Sequence, residues 1–182
     1  MLNNIASMLG VGGGAAADYE SIATFTLGSS QSTISFTSIP STYTHLQLRV
    51  IARSTVATTQ DNAWFIFNSD STSSYSYHYV YGTGSTAASG GAATQTRNIL
   101  DGEPGTSVGA NIFAATVLDI LDYANTNKYK TSRMLTGWDG NGSGNIALQS
   151  GLWQKTNAIN AITITNGGSF AANSSFALYG IK

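Results

Sequence analysis

From Asp18 onward the chain consists of short segments of β-branched and aromatic residues, separated by clusters of Gly, Ser, Asn and Asp. Brief apolar or alternating runs bounded by turn formers suit a pleated, half-buried surface, so the pattern predicts strands. Strands are expected near 19–27, 32–37, 44–53, 63–67, 75–81, 95–100, 110–121, 130–137, 145–153, 159–165 and 174–181. The segment THLQLRV alternates most cleanly, with Leu46, Leu48 and Val50 on one face and His45, Gln47 and Arg49 on the other. Pro40 and Pro104 fall in turn-like contexts and interrupt no central strand. A run of short strands with no intervening helices implies an all-β fold, and we expect a jelly-roll-like antiparallel β-sandwich. The low-complexity stretch TGSTAASGGAA at 83–93 reads as an exposed flexible loop.

Helical spacing appears only at the start, where Leu2, Ile5, Met8 and Leu9 can form one apolar stripe on a helix of about two turns. So short a helix needs a docking surface to be stable. Gly10 and Gly12 to Gly14 then form a flexible link. The expected organisation is an N-terminal anchoring arm, 1–17, followed by a β-sandwich domain, 18–182. Ala15, Ala16 and Ala17 imitate a secretion-signal cleavage site. However, no Lys or Arg follows Met1, and Asn3, Asn4 and the glycines break the apolar part, which favours the arm.

Composition narrows the partners. Charged residues are 9% of the chain, against about 25% in ordinary globular proteins, so the surface must be polar but largely uncharged. A content of 42% hydrophobic residues supplies enough apolar surface for a packed core and argues against disorder. A net charge of -1 gives no electrostatic footprint for a phosphate backbone or an anionic membrane. No apolar run approaches the roughly 18 residues of a spanning helix. Neither nucleic acid nor a membrane is therefore expected as a partner. The absence of Cys removes disulfides, thiolate metal sites and cysteine nucleophiles together.

Candidate chemistry is sparse. Gly105-Thr106-Ser107-Val108-Gly109 has the spacing of a nucleophile elbow, but a strand follows it and both His45 and His78 precede Ser107, so a turn is expected. Asp139, Asn141, Ser143 and Asn145 with Gly144 imitate the first half of a calcium loop. The twelfth position would be Ser150, which cannot supply the bidentate carboxylate, and WDGNGSGN reads as a hairpin turn. Asp119 and Asp122 of LDILDY fall on opposite faces of a strand and suit solvation or a turn better than paired acid catalysis. His45 and His78 have no acidic pair at ligand spacing. The expectation is a protein with no catalytic residues, no cofactor and no metal. Tyr75, Tyr77, Tyr79 and Tyr81 project to one face of YSYHYVY, where they can pack, form a subunit interface or stack on a host glycan. Trp64, Trp138 and Trp153 are scattered and read as core or interface anchors.

Several segments together resemble a family of tailed-bacteriophage virion proteins, often from cyanobacterial or other environmental phages. They are DYESIATFTLGSS at 18–30, FTSIPSTYTHLQLRVIAR at 36–53, FNSDSTSSYSYHYVYG at 67–82, LDILDYANTNKYKTSRMLTGWDGNGSG at 118–144 and SSFALYGIK at 174–182. The resemblance implies a jelly-roll module on the virion, assembled in the bacterial host cytoplasm. It further implies a non-enzymatic head decoration or cement protein, a homotrimer whose arm contacts the phage capsid or other virion proteins. The alternative it implies is a tail-fibre or receptor-binding module recognising host-surface carbohydrate.

Overall fold

A computed structural model describes residues 18–182. The arm at 1–17, with Leu2, Ile5, Met8 and Leu9, lies outside the described residues. The described chain forms β1 (Tyr19–Thr26), β2 (Gln31–Phe36), β3 (His45–Ala52), β4 (Gln60–Phe67), β5 (Tyr75–Gly82), β6 (Ala87–Gln95), β7 (Asn98–Pro104), β8 (Ala114–Leu121), β9 (Lys130–Asp139), β10 (Gly144–Trp153), β11 (Ile162–Phe170) and β12 (Ser175–Ile181). Two antiparallel sheets pack as a sandwich, one of eight strands in the order β1-β12-β3-β8-β9-β10-β5-β6 and one of four in the order β2-β11-β4-β7.

The asymmetry has a simple origin. With the hairpins β5–β6 and β9–β10 set aside, the remaining strands form β1-β12-β3-β8 facing β2-β11-β4-β7. That is the double Greek-key order of a jelly roll. Both hairpins extend the same sheet, one inserted between β4 and β7 and the other between β8 and β11. Their inner faces therefore reach past β7, the edge of the smaller sheet.

Alternation builds the core. Leu46, Leu48 and Val50 of β3, Leu118 and Ile120 of β8, and Phe176 and Leu178 of β12 meet Phe36, Phe65, Phe67 and Ile164 from the facing sheet. Phe170 and Phe176 lie edge to face with centroids 4.9 Å apart, a geometry that adds to simple burial. Gln47 is on the outer face but almost covered. Its amide donates to Asp119 at 2.8 Å, and its oxygen accepts from Arg49 at 2.8 Å.

The stretch expected to be a flexible loop, 83–93, is instead a tight turn followed by most of β6. Thr83 N–H donates to Thr86 O at 2.9 Å, and Gly84 supplies a φ of +88°. AASGGAATQ has no apolar alternation of its own; its pairing comes from the edge of β5. Gly90 and Gly91 make this possible, because a Cβ there would come within 2.6 Å of Tyr79 Oη and of His78 Cδ2 respectively. The β5 aromatics thus lie across bare backbone.

Other strands shift at their ends. The strand expected at 95–100 runs from Asn98 to Pro104, and the one expected at 159–165 runs from Ile162 to Phe170. The strand expected to start at 110 begins at Ala114. The nearly buried Arg53 guanidinium donates to Val108 O at 3.0 Å, Gly109 O at 2.8 Å and Ile112 O at 3.0 Å, holding this stretch as a turn.

Candidate functional site

The tyrosine row shares one face, as its period-two spacing requires, but its members differ in environment. Tyr75 is fully buried. It stacks on Trp153 at 6.4 Å, accepts from Phe67 N–H at 2.9 Å and donates to Asp70 O at 3.0 Å. Burial pushes its hydroxyl well above the usual tyrosine range. Tyr77, Tyr79 and Tyr81 are half-buried, with successive ring centroids 6.3 and 6.1 Å apart. Burial also raises the Tyr77 hydroxyl. The gradient follows from topology, since this face of β5 leaves the cover of the smaller sheet along its length.

Where that cover ends, Tyr79 and Tyr81 line a trough of about 350 Å³ with Gln60, Asn62, Ile99 and Asn145. The lining holds no Lys, Arg, His, Asp or Glu. Gly102 has a φ of +63°, and a Cβ on it would lie 2.9 Å from Asn145 Nδ2 and 3.1 Å from Gln60 Nε2. A glycine therefore leaves room for both amides to converge. Asn145 is only 6% exposed, and its Oδ1 has no hydrogen-bond partner among the described residues. The interior behind the trough is also polar. Gln149 donates to Ile99 O at 2.9 Å, while its own Oε1 and the amide of Asn98 are buried without partners among the described residues. Buried polar atoms are normally satisfied, so such a group of exceptions sets this region apart from the rest of the interior.

The opposite face of the eight-stranded sheet carries a second feature. Val80, Leu148, Leu135 and Val117 stand in register across β5, β10, β9 and β8, and Ile146 and Ile51 lie in the adjoining row. All six are exposed, Ile146 by 60%. They present on the order of 500 Å² of apolar surface, comparable with the largest patch of an ordinary monomer, a feature that is often functional.

The remaining sequence candidates separate. Ser107 is exposed on the turn after β7, and its N–H donates to Thr58 O at 3.2 Å. Asp139 Oδ1 accepts from Asn141 N–H at 2.7 Å. With Asn141 at φ +57° and Gly142 at +115°, WDGNGSGN is the β9–β10 hairpin turn. Asp119 pairs with Arg133 at 3.3 Å on the outer face. Asp122 lies just past the end of β8 at φ +49°, where a hydrogen bond from Lys128 holds its carboxyl below the usual range. His45 Nδ1 accepts from Asp122 N–H at 2.9 Å. His78 is exposed on the outer face. Among the described residues no three His, Asp or Glu side chains gather to hold a metal ion. Trp138 and Trp153 are buried, and Trp64 lies beneath the Arg97 guanidinium at 3.7 Å.

The tyrosines are legible in the sequence as a row, and Asn145 stands out there only within a calcium-like spacing. Gln60, Asn62 and Ile99 carry no sequence mark, because the inserted hairpin brings them to β5. Compared with protein-family models, curated proteins and solved structures, the chain matches none of them.

Proposed function

We propose that this chain is a non-enzymatic structural protein of a tailed-bacteriophage particle, a head decoration or cement protein acting as a homotrimer. The observation that carries this reading is the exposed apolar face of Val80, Leu148, Leu135, Val117, Ile146 and Ile51. Exposed leucines and isoleucines in adjoining cross-strand rows serve assembly better than solubility. With so few charges on the chain, association must rest on apolar and backbone contacts. The six side chains supply more than half of the roughly 800 Å² that each partner buries in a standard interface. The occupant of this face is another copy of the chain, and residues 1–17 then attach the trimer to the capsid. The resemblance to virion proteins supports the location. The tyrosine trough favours a second reading, a tail-fibre module that recognises host carbohydrate.

Cryo-EM or immunogold labelling of particles tests the reading. Label over the head lattice supports decoration, and label on fibres supports the alternative. A particle without the protein overturns both. Deleting residues 1–17 should leave a folded domain that no longer incorporates.

A further inference from the structure

We propose that the trough between β5 and the edge of β7 is a binding site for a neutral saccharide. A sugar ring has apolar C–H faces and a rim of hydroxyls that both donate and accept. The trough offers the complement of each: Tyr79 and Tyr81 line it with aromatic surface, and the amides of Gln60, Asn62 and Asn145 provide paired donors and acceptors. Its volume of about 350 Å³ falls in the range of small-ligand clefts.

Two further observations point to a ligand. Asn145 lines the trough, and its Oδ1 is covered without a partner among the described residues; a rotation of the amide would present that oxygen to a sugar hydroxyl. Gly102 lets two of the lining amides approach its backbone, since a Cβ there would lie 2.9 Å from Asn145 Nδ2 and 3.1 Å from Gln60 Nε2. The choice of neutral over acidic sugars rests on charge. The lining holds no Lys or Arg, and a carboxylate or sulfate taken out of water there would lack a counter-charge.

The site is on the inner face of the large sheet and the assembly patch on its outer face, so the two proposals can fail separately. The full chain should be applied to an array of neutral hexose and N-acetylhexosamine oligosaccharides alongside sialylated and sulfated ones. The best neutral binder is then titrated by calorimetry against variants. Tyr79→Ala and Tyr81→Ala should each weaken binding at least tenfold, Tyr81→Phe should retain most of it, and circular dichroism should be unchanged. Asn62→Ala, at an exposed rim position, should weaken binding severalfold without touching the core, which keeps the test decisive if a tyrosine variant fails to fold. No neutral glycan bound at millimolar concentration, binding confined to acidic glycans, or affinity unaltered by Asn62→Ala and Tyr81→Ala would each overturn the proposal. Loss of glycan binding in a variant that still assembles, and retained binding in an outer-face variant that does not, would separate this site from the assembly function.

Discussion

The indole N–H of Trp153 donates to the carboxylate of Asp70 at 2.7 Å. This bond joins the end of the β9–β10 insertion to the turn that leads from β4 into the β5–β6 insertion. The same carboxylate accepts from Ser74 Oγ at 2.6 Å, Thr72 Oγ1 at 2.6 Å and Thr72 N–H at 2.9 Å. Both additions to the jelly roll are thus pinned at one acidic side chain.

Burial pushes the Asp70 carboxyl up, but the hydrogen bonds from Ser74, Thr72 and Trp153 outweigh it and hold the group far below the ordinary range. A folded value below the unfolded one, about 3.9, means that the ionised group stabilises the fold fully above that pH. The contribution is lost as pH falls toward the folded value. Asp70→Ala should therefore cost about 3 kcal/mol at pH 7, since the indole and hydroxyl donors lose a charged acceptor. Asp70→Asn should also be destabilised at pH 7, and should lose less stability than the wild type between about pH 5 and about pH 2. Urea unfolding across that range is the measurement; parallel curves for the two proteins would contradict it.

Lys130 is a buried charge, only 1% exposed. Its ammonium donates to Asn125 O at 2.6 Å, Lys128 O at 2.9 Å and Thr156 O at 3.0 Å. Burial, assisted by the nearby Lys128 charge, pushes its pKa down. Lys130→Met keeps the aliphatic bulk but leaves three carbonyls without their donor, and should destabilise by about 3 kcal/mol. Lys130→Arg should not rescue it, because a planar fork cannot replace three donors radiating from one atom. Hydrogen exchange should quicken first in 122–129 and 154–161.

On the outer face, Leu135→Asp and Leu148→Asp should yield folded monomers with an unaltered circular dichroism spectrum, since both side chains already face solvent in the single chain. Light scattering after size exclusion should find the wild-type oligomer, expected to be a trimer, intact at 1 M NaCl. There the Debye length is about 3 Å and charge pairs are screened, while apolar contacts are not weakened. A wild-type monomer at every salt concentration, or a trimer that dissociates in 1 M NaCl, would exclude this face as the contact.

Strand identity and facing were legible wherever one face is buried. Leu46, Leu48 and Val50 lie in the core and Arg49 outside it, because a period of two leaves no other register once the apolar side must leave water. The row of four tyrosines was legible for the same reason. Pairing was not, and β6 shows why. A strand of Ala, Ser and Gly carries no periodic signal, and only the aromatic edge of β5 makes it one.

The sequence by itself determined the class of fold, the positions of most strands and the scarcity of charge, because these depend on local alternation and composition. Tertiary structure alone decided that two hairpins would widen one sheet and not the other. That choice buries Tyr75, leaves Tyr79 and Tyr81 at an open trough, and brings Gln60, Gly102 and Asn145 together from three separate strands. Such convergence follows from which edges meet, a property of long-range pairing that no stretch of residues states for itself.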